Sequence, residues 1–252
     1  MNQELKEVAW LLMLIPFGIV SGTGVFFLFC AWRRACQSRT KNEQDNFQSG
    51  SGNGTFQSPL FDQPARWLAV KCNDPALVQA ALNLHHPTPC SWEEGLSEAR
   101  EDKLFISPPI SGWVLVAGSG LPGLFENVDE CFLFLCELSR KLGQVQFFSA
   151  SRIVHHHAWV RMDRGRVFRA YAWAGETLWN QGPVTTAEKD LDLRCFAYGS
   201  EQSAFSVREE LAANSEKIGQ LAARWSFDPA TLAAHSRHGH GIVGGLSQSK
   251  LH

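Results

Sequence analysis

Apolar and polar positions divide the chain into three regimes. Residues 8–32, VAWLLMLIPFGIVSGTGVFFLFCAW, hold no charged side chain. A run of that length crosses a hydrocarbon core of about 30 Å with some tilt. Residues 33–63 turn polar and rich in Ser, Gly, Asn and Gln, a composition that cannot bury enough apolar surface to fold and reads as a flexible linker. Between residues 64 and 234 apolar positions return in short runs and at helical spacing, the pattern of a folded domain. The tail over 235–252, HSRHGHGIVGGLSQSKLH, reads as loose.

Inside the domain, residues 67–72 read as a strand. Asp74 and Pro75 open a helix over 76–84, and Ser91 with Glu94 forms a capping box for a helix running toward Arg100. Residues 104–107 and 113–117 are apolar strands separated by Pro108, Pro109, Ser111 and Gly112. Asn127 with Glu130 starts VDECFLFLCELSRKL, which is apolar nearly all round and is closed by Arg140, Lys141 and Gly143. It is expected to be a buried central helix. Strands follow at 145–150, 153–162, 166–174 and 177–180. Ser206 with Glu209 opens a helix to about Trp225, and Asp228 with Pro229 starts a short last one. Strands in runs, without regular alternation with helices, predict an α+β fold: a single cytoplasmic domain with a mostly antiparallel sheet packed by helices, preceded by one N-terminal transmembrane helix.

Charge decides the orientation. Glu4, Lys6 and Glu7 precede the apolar run and Arg33, Arg34, Arg39 and Lys41 follow it, so residues 1–7 are expected outside and residues 33–252 in the cytoplasm. Neither a basic leader nor a small-residue cleavage site marks a signal peptide. Gly18 and Gly22 have the small-xxx-small spacing that lets two helix backbones approach, which points to a homodimer through the anchor. With a net charge of −2 over 252 residues, no global field draws the chain to nucleic acid, and none is expected as a partner. The domain's cysteines show no C-x-x-C spacing and would stay reduced in a cytoplasmic setting.

Three places carry candidate chemistry. Gly118-Ser119-Gly120-Leu121-Pro122-Gly123 matches G-x-G-x-x-G after an apolar run, but the best helix start is Asn127, Pro122 lacks an N–H, and no acidic residue lies between Gly143 and Ser151. A loop joining an edge of the sheet to the following helix accounts for it; a nucleotide held by Gly118, Gly120 and Gly123 is the alternative. His155 and His157 alternate on one strand face and could supply two metal ligands, with no third evident. Cys90, just before a helix start, could have its pKa lowered, with His85 or His86 as base.

The hairpin around Asp163-Arg164-Gly165 is the most informative segment. A three-residue loop would set Met162 opposite Arg166. One face would then carry Met162, Val160, Ala158, Phe168, Ala170 and Ala172. The other would carry His155, His157, Trp159, Arg161, Val167, Arg169, Tyr171 and Trp173. An aromatic and cationic face is either a partner-binding surface or a structural face packed under the C-terminal helices. The function expected is a membrane-anchored cytoplasmic binding or regulatory module with another protein as partner and no cofactor. The alternative is a nucleotide- or metal-dependent enzyme using the glycine loop or the histidine pair.

Overall fold

The computed structural model describes residues 65–151, 154, 156–199, 206–232 and 239–246. The expected span at 8–32, Gly18, Gly22 and His155 lie outside the described residues. Among the described residues no helix is long and apolar enough to cross a membrane.

Nine strands form one sheet in the order β2-β9-β3-β4-β1-β5-β6-β7-β8. They are β1 (Ala65–Val70), β2 (Leu84–Cys90), β3 (Lys103–Ile106), β4 (Val114–Ala117), β5 (Gln144–Ser151), β6 (His156–Asp163), β7 (Arg166–Trp173), β8 (Thr177–Gln181) and β9 (Gly241–Leu246). Every neighbouring pair is antiparallel. The helices are α1 (Pro75–Leu82), α2 (Trp92–Glu98), α3 (Val128–Leu142), α4 (Thr186–Asp190) and α5 (Ser206–Trp225), with a 3-10 turn at Pro229–Thr231.

Alternation along each strand divides the core into two layers. Trp67, Phe105, Leu115, Phe148, Trp159 and Tyr171 point to one side, where they meet Trp92 of α2 and Ile218, Leu221 and Ala222 of α5. Leu68, Ile106, Val116, Phe147, Val160 and Ala172 point to the other, against Val78 of α1 and Cys131 and Leu135 of α3. Covering both faces explains the unbroken apolar runs at β3 and β4, where Val114–Ala117 is buried at every position. The helix starts are those the capping residues predict. Asp74 accepts from Ala76 N–H at 2.9 Å, Ser91 from Glu94 N–H at 3.2 Å and Asn127 from Glu130 N–H at 3.1 Å.

Several expectations are corrected. The helix predicted over 76–84 stops at Leu82, because Asn83 turns left-handed with φ 50°, and Leu84 already belongs to β2. Instead of being central, α3 covers one face, with Leu133 55% exposed. The predicted loose tail contains β9, which slots between β2 and β3. Its glycines are steric requirements: a Cβ on Gly241 would run into the Phe105 ring, and one on Gly244 would come within 2.7 Å of Leu84. The two sheet edges are blunted differently. Pro87 and Pro89 remove donors from β2, which also shifts register between His85 and Thr88. On β8, Asn180 N–H donates to the Tyr198 hydroxyl at 2.6 Å.

Gly241→Ala is therefore expected to lower stability by roughly 1–3 kcal/mol through overpacking. Gly245→Ala, where nothing lies within 4 Å of the added carbon, should be near neutral. Urea unfolding of the two variants checks this, and equal effects would contradict it.

Candidate functional site

The β6–β7 hairpin turns through Arg164 and Gly165, both at positive φ (48° and 77°), so Asp163 pairs with Arg166. The loop thus holds two residues instead of three, and a bulge between Arg161 and Met162 leaves Phe168 as the extra residue. Because side-chain direction has period two, this pairing leaves residues 169–173 on the expected faces. It moves Val167 to the Met162 side, where it packs against that core, and turns Phe168 outward at 54% exposure.

The aromatic and cationic face lies inside the protein. His157, Trp159, Arg169 and Tyr171 are each 0% exposed and Trp173 is 5% exposed. They face α4, α5 and the segment between them, and a partner cannot reach them while those elements are in place. Arg161, near the turn, is half-buried and sets its guanidinium against the Gln144 amide at 3.1 and 3.2 Å.

Arg169 is the centre of this interior. Its Nε donates to Glu188 Oε1 at 2.8 Å, and both side chains are fully buried. Its Nη1 donates to Asn180 Oδ1 at 2.8 Å and to the Ala170 and Gln181 carbonyls at 3.0 and 3.2 Å. Its Nη2 donates to Cys195 Sγ at 3.0 Å. The Glu188 carboxylate also takes Trp159 Nε1–H at 2.8 Å on Oε1, and the Thr185 N–H and hydroxyl at 2.7 Å each on Oε2. A buried ion pair is tolerable only with such saturation, since each charge has lost its water.

His157 and Tyr171 extend the network. The Asn214 amide bridges the Arg194 backbone, accepting from its N–H at 3.0 Å and donating to its carbonyl at 2.8 Å. Backbone polarity thereby fixes which end of the amide is nitrogen. The Nδ2 group that lies 3.1 Å from His157 Nε2 must then donate to it, so His157 is neutral there and its Nε2 lone pair is engaged. The Tyr171 hydroxyl accepts from Phe196 N–H at 3.1 Å. Burial raises the Tyr171 phenol from 10.0 to about 12 and the Cys195 thiol from 9.0 to about 12, Arg169 offsetting only part of the latter. Near neutral pH Cys195 is thus a thiol, a poor nucleophile. Cys90 is also pushed upward, first by burial and then by Glu98 and Glu94, which outweighs its place before α2.

The glycine loop has its own structural reasons. It leaves β4, an interior strand and not an edge. A Cβ on Gly118 would strike the Lys103 carbonyl, one on Gly120 would lie 2.8 Å from the Asp102 carbonyl, and one on Gly123 would lie 2.7 Å from Arg66 Nη1 and from the Glu126 carboxyl carbon. Arg66 ties the loop shut by donating to the Leu121 carbonyl at 2.7 Å and to Glu126 at 2.6 Å. Carbonyl oxygens crowd Gly118 and Gly120, and Arg66, the cation at the loop, is already held by the Leu121 carbonyl and Glu126, which is poor chemistry for a pyrophosphate. Among the described residues no group of three or more His, Cys, Asp or Glu could hold a metal.

Glu188, Asn214, Cys195 and Asn180 escape a reading of the sequence. Only Glu188 leaves a local signal, the T-x-x-E capping box beginning at Thr185.

Arg169→Met strands a buried carboxylate and is expected to cost about 3–5 kcal/mol. The double variant Arg169→Met/Glu188→Leu should cost less than the sum of its singles by roughly 1–3 kcal/mol, measured in a double-mutant cycle; additivity would contradict the coupling. The raised pKa values give a second expectation. Cys131, also pushed up to about 12, joins Cys195 and Tyr171 in holding protons that the unfolded chain releases from about pH 9 upward. Their contribution to stability is therefore full below pH 9 and is lost as pH rises toward 12. Chemical denaturation across that range reads it directly.

No family model, curated protein or solved structure matches the chain.

Proposed function

We propose that the chain is a membrane-anchored binding or regulatory module, with one span at residues 8–32, residues 1–7 outside, and the domain held on the cytoplasmic side to meet another protein. The uncharged run followed by Arg33, Arg34, Arg39 and Lys41 carries this reading. A homodimer through Gly18 and Gly22 belongs to the same reading.

The domain's chemistry supports the binding half. Arg169, Glu188, Trp159 and His157 direct their polar atoms to one another and to the surrounding chain, which makes the interior a scaffold. The groups left to meet a partner stand on the surface. The competing enzyme reading uses the glycine loop or the His155/His157 pair, and it is weakened by the packing at Gly118, Gly120 and Gly123 and by the engagement of His157.

Two measurements on the full chain test the proposal. After alkaline carbonate washing of membranes the protein should stay in the pellet, with a C-terminal tag accessible only from the cytoplasmic side; release into the wash would overturn the anchor. A thermal-shift screen with nucleotides, nicotinamide cofactors and divalent metals should leave Tm unchanged. A rise of several degrees that disappears in Gly120→Val or His157→Ala would favour the enzyme.

A further inference from the structure

One end of the sheet gathers cations from separate elements. The last turn of α3 supplies Arg140 and Lys141, β6 supplies Arg161, the hairpin turn Arg164, and β7 Arg166. The structure holds them together. Gly165 N–H donates to Ser139 Oγ at 2.8 Å, Arg164 N–H to the Gly143 carbonyl at 3.3 Å, and Cys136 Sγ to the Gly165 carbonyl at 3.4 Å. The tip is thus a rigid junction of hairpin and helix.

Arg66, Arg169, Arg194 and Arg224 each hold a carboxylate, whereas Arg100, beside Glu101 and Asp102 in sequence, stands without an ion pair among the described residues; the tip is the place where several such arginines gather. Among the described residues Arg140, Arg161, Arg164 and Arg166 form no ion pair, although Asp163 lies in the same hairpin; Lys141 pairs with Glu137 at 2.7 Å on the exposed helix surface. Arg164 also occupies a left-handed turn position where Asn, Asp or Gly is favoured. Phe168, two residues along β7 from Arg166, is 54% exposed.

We propose that this tip, Arg140, Arg161, Arg164 and Arg166 with Phe168, is the face that the domain lays on an anionic bilayer surface. Guanidinium groups that no carboxylate neutralises, Arg164 and Arg166 exposed and Arg161 half-buried, meet lipid phosphates and carboxylates while the adjoining Phe168 ring enters the headgroup boundary. The inference rests on the membrane-anchored reading above. An anchor keeps the domain at high local concentration near the leaflet, so a patch of modest intrinsic affinity suffices. Near neutrality, the chain lacks the long-range field that nucleic-acid binding needs, whereas a short-range cationic and aromatic tip fits a charged surface already close by.

The experiment reconstitutes the full chain in nanodiscs of phosphatidylcholine alone and with roughly one-third phosphatidylserine, and follows hydrogen exchange of peptides covering 161–168. Slower exchange in the anionic discs, reversed by high salt, is expected. Each cation near such a surface is worth roughly a factor of five in partition, so Arg164→Gln/Arg166→Gln should weaken binding about twenty- to thirty-fold, with circular dichroism confirming an unchanged fold. Equal exchange in both discs overturns the proposal. Protection instead by polyglutamate or a DNA duplex in the neutral discs also overturns it, in favour of an acidic protein or nucleic acid. If carbonate releases the chain, the anchor fails separately, and sedimentation of the released protein with vesicles of the same two compositions still decides whether the tip binds anionic lipid.

Discussion

The ion pair between Arg169 and Glu188 is the constraint around which one half of the domain is organised. Glu188 sits in the five-residue helix α4, too short to persist alone. Its carboxylate closes the capping box with Thr185 on one oxygen and receives Trp159 and Arg169 on the other. One side chain therefore completes a helix start and fastens it to β6 and β7. The guanidinium in turn reaches Asn180 and the backbone of β7 and β8, and through Cys195 the segment that leads toward α5. Replacing such a pair by apolar groups is often neutral or stabilising in other proteins. What it adds here is directional: only a planar donor with several N–H groups could bind carboxylate, amide, carbonyl and thiol from four pieces of chain at once.

That interior also explains an unusual sheet. Antiparallel sheets often leave one face to solvent, yet the inner strands of this one are covered on both sides, while the edge strand β2 stays exposed at most positions. The layer under α1 and α3 is mainly aliphatic, with Phe147 and Trp179 the aromatic members of its buried set. The layer under α2, α4 and α5 is aromatic and polar: the ring centroids of Trp159, Tyr171 and His157 lie within 5.9 Å of one another, His157 stacked on Trp159 and Tyr171 tilted against both. Large flat rings fill the space between the sheet and its short helices, and their polar edges give those helices fixed positions. The abundance of tryptophan in the chain has part of its explanation there.

Much of the fold was legible because local signals and tertiary packing agree. Asp74, Ser91 and Asn127 mark helix starts that the structure keeps, and the apolar runs become β1, β3, β4 and β5. Where packing overrode local preference, the pattern misled. LHHPTPC carries two prolines and reads as loop, yet becomes an edge strand because an edge tolerates missing donors. GIVGGL looks like a loose tail because its glycines hide a steric demand made by Phe105, far away in sequence. For the site, the membership of the inner face was readable from strand alternation. Its burial was not, since Glu188 and Asn214 lie on other elements and alternation says nothing about what covers a face.

A single extra residue links the buried network to the exposed tip. Continuing the pairing of Asp163 with Arg166 and Met162 with Val167 without interruption would set Arg161 opposite Phe168 and Val160 opposite Arg169. Opposed residues share a face, so the guanidinium would enter the apolar layer on the side away from Glu188. The bulge inserts Phe168, re-pairs Arg161 with Arg169, and carries residues 169–173 to the opposite side. The same insertion leaves Phe168 without a cross-strand partner and turns it into solvent beside Arg166. The device that delivers one arginine to its buried partner thus also creates the apolar point among the unpaired ones. Interior and surface of the hairpin are two consequences of one register shift.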